Sequence, residues 1–252
     1  MSGMDWRRSC DRVEGLAVRR WLEKTRVPLT AATAFLIFLA AARNVPLLPR
    51  APHPPSPPRH LIYLHGRIVQ EQQNARPVHP RFGAYELEKI LDTFRQKGFV
   101  VSGEIRPKTA SVGESADRVV EQVRRLLAAG VPADHVTVVG ASMGAAIAML
   151  ASARLQNADV RFCFLGHCLS ESVRGLIAEE GKPPSGRLLS IREESDESTA
   201  RCSPWKDETK PGSQLVAREI VIRTGLSHGF LYRPLPEWVG PVAEWAASNP
   251  RP

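Results

Sequence analysis

From Leu61 onward, the sequence alternates short apolar runs with longer amphipathic stretches, and it contains no long repeat. Two parallel strands that are neighbours in a sheet must be joined by a crossover segment. A strand that is buried on both faces consists of a continuous run of apolar residues. The pattern therefore predicts an α/β domain, a three-layer sandwich with a mostly parallel sheet of about six strands. The predicted strands are "HLIYLHG", "FVVSGEI", "HVTVVG", "VRFCFLG", "RLLSIR" and "EIVIRTG".

The formal net charge of +8 is concentrated before this domain. Residues 1–59 contain ten Lys and Arg against four Asp and Glu, whereas the rest of the chain contains 24 against 22. A nucleic-acid-binding domain is expected to carry a basic stripe with interleaved aromatic side chains, and this nearly neutral domain shows none in its sequence. The charge distribution therefore argues against a nucleic-acid partner.

An apolar segment near the N-terminus predicts export or membrane anchoring. Sixteen uncharged, mostly apolar residues lie between Arg26 and Arg43, after a basic stretch. A membrane-spanning helix usually needs about 18 or more apolar residues, and a secretory signal needs roughly 7 to 15. We expect residues 1–45 to be a signal peptide or an N-terminal membrane anchor, so the protein would be periplasmic, extracellular or membrane-associated rather than cytoplasmic. The alternative is a buried core helix.

A proline tract follows this segment. Residues 46–59 contain seven prolines, which cannot propagate a helix or a sheet ladder, so they predict an extended linker. The expected organisation is therefore the N-terminal segment 1–45, the linker 46–59 and one folded domain over residues 60–252.

The third predicted strand ends in "GASMG", a G-x-S-x-G motif at Gly140, Ser142 and Gly144. In such a tight strand-to-helix turn the serine is strained, and side chains at the glycine positions would collide with neighbouring backbone. The serine would lie at a helix N-terminus, where free amides favour negative charge. A small serine in a tight turn is the simpler interpretation. A nucleotide-binding loop is excluded, because "GASMGA" lacks G-x-G-x-x-G and no lysine follows the second glycine.

A serine nucleophile needs a base, and the base needs a carboxylate that holds its tautomer. His228 follows the last predicted strand, and Asp196 lies five residues after Ile191, in the loop after the preceding strand. Function in open α/β sheets collects at the carboxyl ends of the strands. Ser142, Asp196 and His228, in this chain order, are therefore candidates for one catalytic site.

The motifs "YLHG", "GASMG", "REESD" and "GLSHGF" occur in this order at compatible positions. Through them the chain resembles the α/β-hydrolases, in particular compact serine esterases, over about residues 61–247. The resemblance implies a reduced α/β-hydrolase fold, since no strands precede Leu61. It also implies a minimal lid, because the stretch between Cys168 and Leu188 holds about one short helix.

The resemblance also implies roles for individual residues. Ser142 would be the nucleophile, His228 the general base and then the acid, and Asp196 the orienting carboxylate. The oxyanion hole would consist of the backbone amides of Arg67 and Met143.

One position departs from the family pattern. Relatives usually carry glycine where Glu193 stands in this sequence. Glu194 and Glu197 therefore remain alternatives to Asp196 as the orienting carboxylate.

Residues at the strand ends near this site are expected to contact substrate. They are His65, Gly66, Glu104, Arg106 and His167. His65 is also explained as scaffold, His167 as core, and Arg106 as an ion-pair partner of Glu104. We interpret residues 67–83 as a long loop directly after the oxyanion position, with three arginines, that selects the substrate.

The four cysteines form no C-x-x-C pair and have no metal-ligand spacing with histidine, so no metal or other cofactor is expected. Cys168 and Cys202 would follow adjacent strands on the side of the predicted site. A disulfide between them is geometrically allowed there, on condition that the protein is exported.

These patterns favour a serine hydrolase that cleaves an ester, thioester or amide bond of a small or polar substrate through an acyl-enzyme. The alternative is a catalytically inactive module of the cell envelope that kept the fold and binds a ligand in its pocket, because fold does not determine function.

Overall fold

The computed structural model describes residues 57–167, 171–199 and 216–248. Six strands form one sheet within these residues: β1 (His60–Leu64), β4 (Val100–Ser102), β5 (Val136–Ala141), β6 (Arg161–Leu165), β7 (Arg187–Glu193) and β8 (Val216–Ile222). Two shorter strands, β2 (Val78–His79) and β3 (Gly83–Ala84), pair with each other. The large sheet has the order β4-β1-β5-β6-β7-β8, and all its neighbouring strands are parallel. The predicted fold class is confirmed.

Helices cover both faces of the large sheet. They are α1 (Arg67–Gln72), α2 (Leu87–Gln96), α3 (Val112–Ala128), α4 (Met143–Leu155), α5 (Glu171–Glu179) and α6 (Pro236–Ala247). The apolar side chains of α2 and α6 pack in one core cluster, and those of α3, α4 and α5 pack in a second cluster on the opposite face. The result is a three-layer sandwich.

The strand β5 lies in the middle of this sandwich, and all six of its residues are buried. Its side chains alternate between the two clusters, as the pleat of a strand requires: Val139 belongs to the cluster with α6, and Val138 to the cluster with α4. The pairing with β1 places Leu64 opposite Gly140. The chain segments that follow β1 and β5 therefore emerge side by side at the carboxyl edge of the sheet.

Residues 67–83 are not the loop that the sequence predicts. The segment begins with α1, which buries Val69 in the core, and it continues into the β2–β3 hairpin. The helix ends at Gln73, which adopts a left-handed conformation with φ 47°. A helix of six residues shows less than two full turns of periodicity, so the apolar pattern could not reveal it.

Several expectations fall on residues outside those that the structure describes. These include the N-terminal segment and nearly all of the linker, so both stay predictions from the sequence. Cys168 and Cys202, the expected disulfide partners, also lie outside the described residues. None of the helices within residues 57–167, 171–199 and 216–248 is both long and apolar enough to span a bilayer.

Candidate active site

Ser142 lies in the turn between β5 and α4, with backbone angles φ 53° and ψ −117°. This conformation is strained for a residue with a side chain and persists because the surroundings hold it. The Ser142 amide donates to the Leu165 carbonyl at 2.8 Å. A Cβ on Gly140 would lie 2.2 Å from the carbonyl oxygen of Gly144, and a Cβ on Gly144 would lie 2.0 Å from that of Leu64. Both glycines are therefore required for α4 to start directly against the ends of β1 and β5.

His228 lies in the 3-10 helix Ser227–Tyr232 after β8, and its ring connects Ser142 to Asp196. Nε2 lies 2.9 Å from Ser142 Oγ, and Nδ1 lies 2.7 Å from Asp196 Oδ2. Beside a carboxylate, Nδ1 carries the proton and Nε2 is free to accept one from the serine hydroxyl. The fully buried Phe230 anchors this short helix in the core. The structure thus brings together the three side chains that the sequence singles out, while their catalytic roles stay a prediction.

Asp196 is only 2% exposed, although it lies in the loop after β7. Its Oδ1 accepts a hydrogen bond of 2.6 Å from Ser198 Oγ, and its Oδ2 faces His228. Burial raises the pKa of Asp196, but the hydrogen bonds from His228 and Ser198 outweigh burial and hold the pKa below its usual value. Asp196 is therefore ionised at neutral pH and can stabilise a positive charge on the imidazole.

The other acidic residues of this loop face elsewhere. Glu194 pairs with Arg223 at 3.0 Å on the surface, and Glu197 is exposed. Glu193 is buried at the end of β7 and bonds to the backbone and side chains of neighbouring loops. Of the four carboxylates, Asp196 is the one hydrogen-bonded to His228.

Two helices begin next to Ser142. Arg67 is the first residue of α1, and Met143 is the first residue of α4. The first amides of a helix have no carbonyl acceptor within the helix, so they are available to other groups. A Cβ on Gly66 would lie 3.7 Å from the Cβ of Ser142, which gives a measure of how closely the start of α1 approaches the serine. The two amides predicted for the oxyanion hole thus both belong to helix starts at this turn.

His65 lies beneath the start of α1 and is completely buried. Its Nε2 accepts a hydrogen bond of 3.1 Å from the Arg106 amide, so its Nδ1 carries the proton and donates to the Gly66 carbonyl at 2.9 Å. Burial and the positive charge of Arg106 lower the pKa of His65 to about 4, which keeps the ring neutral. The Gly66 carbonyl and the Arg67 amide share one planar peptide, so His65 fixes the direction in which that amide points.

Arg106 is also part of this internal support. Its guanidinium donates to the His65 carbonyl at 2.7 Å and to Gln70 Oε1 at 3.1 Å. Burial lowers the pKa of Arg106 to about 10, which leaves it charged at neutral pH. Gln70 in turn donates to the carbonyls of Pro107 and Ala110, at 3.0 and 2.8 Å. These bonds tie α1 to the segment after β4.

The structure corrects part of the predicted substrate contacts. His65 and Arg106 are internal, and Arg106 and Glu104 line a separate small cavity of about 90 Å³ against α3 that does not include Ser142. Hydrogen bonds to backbone allow the polar groups of His65 and Arg106 to be buried. Gly66 does line the pocket at Ser142.

His167 lies close enough to His228 for the two rings to interact electrostatically. Burial, together with this neighbour, lowers the pKa of His167.

A pocket of about 400 Å³ opens at Ser142 and His228. The segment after β1 and the 3-10 helix form its walls, through Gly66, Arg67, Ile68, Glu71, Gln72, Val78, His79, Pro80, Phe82, Tyr85, Leu231 and Tyr232. Phe82 stacks on His79 with ring centroids 4.6 Å apart, and Tyr232 lies 5.4 Å from Phe82. The pocket is therefore lined by aromatic and apolar side chains together with charged and amide side chains from α1.

The sequence analysis did not single out these aromatic residues. The stretch "HPRFGAY" places three aromatic rings around a proline and a glycine, which is a turn signal. That combination indicates a short hairpin with rings on its arms. The polar character of the surrounding residues led instead to the interpretation as a loop.

Within residues 57–167, 171–199 and 216–248, no three His, Cys, Asp or Glu side chains come together in a way that could hold a metal ion. The one free cysteine of these residues, Cys163, lies in β6 with its side chain fully buried. Burial raises the pKa of the Cys163 thiol well above its usual value, so the group stays protonated.

No family model matches the sequence, and no curated protein is similar to it. Solved structures resemble the chain in fold. A protein of unknown function from Agrobacterium tumefaciens, a candidate α/β hydrolase, shares 17% identity, covers 75% of this chain and 87% of its own, and has a TM-score of 0.46. SOBER1 from Arabidopsis thaliana shares 14% identity, with 75% and 98% coverage and a TM-score of 0.46. Esterase B from Lactobacillus rhamnosis shares 15% identity, with 73% and 72% coverage and a TM-score of 0.47.

The arrangement of strands and loops in this structure identifies the fold. The parallel sheet carries a strained serine at the turn between β5 and α4, and the acidic and histidine loops follow β7 and β8. The described residues have the α/β-hydrolase fold, with a parallel sheet of six strands.

Proposed function

We propose that the protein is a serine hydrolase that cleaves an ester, thioester or amide bond through an acyl-enzyme. The observation that carries the proposal is the continuous hydrogen-bonded chain from Ser142 Oγ through both nitrogens of His228 to Asp196, at 2.9 and 2.7 Å. A serine placed in a tight turn for its small size alone needs neither partner.

In the proposed reaction, Ser142 Oγ attacks the carbonyl carbon of the substrate while His228 Nε2 takes the hydroxyl proton. The imidazolium that forms is stabilised by the ionised Asp196. His228 then gives the proton to the leaving group, and the acyl group stays on Ser142. A water molecule enters, loses its proton to His228 and attacks the acyl carbon, which releases the acid and restores the serine hydroxyl.

The negative charge that develops on the carbonyl oxygen would be bound by the amides of Arg67 and Met143. Removal of one such donor typically lowers turnover by about 100- to 1000-fold. The support of the Arg67 amide by buried His65 and Arg106 is consistent with this role, because an oxyanion donor acts best when its direction is fixed in advance.

The pocket supports a small substrate. Its volume of about 400 Å³ is near the lower end for ligand sites, and the rings of Phe82, Tyr85 and Tyr232 form part of its wall. The exposed side of α1, with Arg67 and Glu71, offers polar contacts near the mouth. We propose a substrate that places a small apolar group against the rings of Phe82 and Tyr232 and keeps its polar part near α1.

Covalent labelling by a fluorophosphonate probe tests this function. The folded domain is expected to be labelled and to hydrolyse a panel of short esters or thioesters, and both signals should disappear in Ser142→Ala and His228→Ala. Absence of labelling and turnover in well-folded protein would contradict the proposal and favour a binding module that kept the fold without catalysis.

A further inference from the structure

Glu193 is a buried carboxylate that five donors surround. It is the last residue of β7 and is 1% exposed. Its Oε1 accepts from Ser195 Oγ at 2.7 Å and from the amides of Ser195 and Gly225 at 3.2 Å each. Its Oε2 accepts from the amide and the hydroxyl of Thr224, at 3.0 and 3.2 Å. Both oxygens of the carboxylate therefore accept more than one hydrogen bond.

These donors come from two different loops. Ser195 directly precedes Asp196 in the loop after β7, whereas Thr224 and Gly225 begin the loop after β8 that leads to His228. The bonds of Glu193 thus join the two loops at their bases, three residues before the aspartate and three to four residues before the histidine.

A chain of two hydrogen bonds, called the relay below, runs from Glu193 through Ser195 to Ser227, the residue before His228. Ser195 Oγ donates to Glu193 and accepts a hydrogen bond of 3.1 Å from the amide of Ser227, the residue directly before His228. Ser227 has a positive φ of 50°, an unusual conformation for a serine that must be held by its surroundings. The hydrogen bond from its amide to Ser195 is one such restraint.

The carboxylate is ionised in this position. Burial raises the pKa of Glu193, but the hydrogen bonds from Thr224, Ser195 and Gly225 outweigh burial and bring the pKa below its usual value. The donors are amides and hydroxyls, so the site is held by charge-assisted hydrogen bonds.

We propose that Glu193 is a positioning residue that sets the distance between Asp196 and His228 by clamping the two loops that carry them. The inference rests on the proposed serine-hydrolase function. The rival interpretation is that Glu193 only stabilises the end of β7, in which case its loss would lower stability and leave the reaction of folded molecules unchanged.

The test compares Glu193→Gln with Glu194→Gln, which removes the neighbouring surface carboxylate that pairs with Arg223. A glutamine places an NH2 group against some of the donors and so breaks part of the clamp. Fluorophosphonate titration counts the competent sites, and kcat and KM for a short ester are normalised to that number. We expect kcat of Glu193→Gln to fall about 10- to 100-fold with little change in KM, because small misplacements of reacting groups have effects of this size.

The pH profile of kcat/KM provides a second readout. Removal of a nearby negative charge and a looser contact between Asp196 and His228 both disfavour the imidazolium, so the acid limb of the profile should move to lower pH in Glu193→Gln. The profile of Glu194→Gln should match the wild type. A loss of stability alone would change neither the profile nor the normalised kcat.

Ser195→Ala keeps the inference testable if Glu193 variants fail to fold. This change removes the relay to Ser227 but leaves the Glu193 carboxylate in place. We expect a several-fold lower kcat and, in a foldable double variant with Glu193→Gln, an effect smaller than the product of the two. Wild-type kcat and pH profile in folded Ser195→Ala or Glu193→Gln would overturn the positioning role.

The two proposals fail in different ways. If the wild type is folded but neither labelled nor active, the serine-hydrolase function is wrong and the positioning role is wrong with it. If the wild type and Glu194→Gln are active and Glu193→Gln equals them per competent site, the hydrolase function stands and only the role of Glu193 is wrong.

Discussion

Asp196 Oδ2 lies 2.7 Å from Nδ1 of His228, although Glu193, Glu194 and Glu197 are within three residues of it in the sequence. The geometry of the turn determines which of these carboxylates faces the histidine. The turn after β7 is closed by hydrogen bonds from the Asp196 amide to the Glu193 carbonyl and from the Thr199 amide to the Asp196 carbonyl, at 3.1 and 3.0 Å. This turn directs the Asp196 side chain inward and leaves Glu197 in solvent.

Asp196→Asn should lower kcat by about 10³- to 10⁴-fold and leave the fold intact. The amide cannot stabilise the imidazolium and favours the wrong tautomer of His228. Steady-state kinetics of the purified variant measure the loss, and Glu197→Gln is the matched control because its side chain is exposed. Similar kcat values for the two variants would contradict the role of Asp196.

His65 predicts a pH dependence of stability. Its folded pKa of about 4 lies below the value near 6.5 that histidine has in an unfolded chain. Between these values the unfolded state binds a proton that the folded state does not, so stability decreases as the pH falls. From pH 6.5 to pH 5 the loss from His65 should be about 2 kcal/mol. Denaturant unfolding at several pH values measures it.

Above pH 5, the effect of His65 on stability can be distinguished from the effect of carboxylates such as Asp196. Because the pKa of Asp196 is lowered, its contribution to stability is lost only at lower pH, as the pH falls through its folded pKa. His65→Asn keeps an amide donor for the Gly66 carbonyl and removes the titration. The slope of stability against pH between 5 and 6.5 should be shallower in this variant, and an unchanged slope would assign the effect to other groups.

Gly144→Ala should be strongly destabilising. The new Cβ would lie 2.0 Å from the Leu64 carbonyl, so α4 or β1 would have to move, at a cost of about 3 kcal/mol or more. Gly240→Ala is the matched control, since a Cβ there meets no atom within 4 Å and the position is inside α6. This control should gain up to about 1 kcal/mol in urea unfolding. Equal effects at both positions would contradict the close approach of α4 to β1.

Val78→Ser should weaken substrate binding without a comparable loss of kcat. Val78 is 63% exposed and lies on the pocket wall, where it can cover an apolar group of the substrate. Loss of that contact would cost about 1 kcal/mol, which corresponds to a roughly five-fold higher KM for an apolar short ester. Val100→Ser serves as the control, because Val100 is 49% exposed on the edge strand β4 and does not line the pocket. A KM that changes equally in both variants would exclude this wall as a substrate contact.

The sequence predicted the sheet well because its strands are buried on both faces. β5 and β6 are buried at every position, and apart from Thr137 and Arg161 they contain no polar side chain. The edge strands were placed less accurately. β4 is three residues long, and β8 begins at Val216, before the predicted run "EIVIRTG", because edge strands carry polar side chains such as Arg218 that blur the pattern.

The centre of the candidate site was also accessible from sequence, because tight turns demand particular residues such as Gly140 and Gly144. The buried residues that support the site were harder to assign from the sequence. His65, Arg106 and Glu193 are polar and buried, and burial of each depends on hydrogen bonds to backbone that is distant in sequence. A local pattern contains no information about such partners, so the sequence left His65 as either scaffold or substrate contact, Arg106 as either substrate contact or ion-pair partner, and Glu193 without a bonding role.

The β2–β3 hairpin is fastened at its base by backbone hydrogen bonds. The Tyr85 amide donates to the Pro77 carbonyl, and the Glu86 amide donates to the Tyr232 carbonyl, both at 2.8 Å. Between these attachments the hairpin supplies pocket wall and none of the reacting groups. In evolutionary terms, exchange of this hairpin would change the shape of the pocket wall while the hydrogen bonds among Ser142, His228 and Asp196, which the hairpin does not make, could be retained.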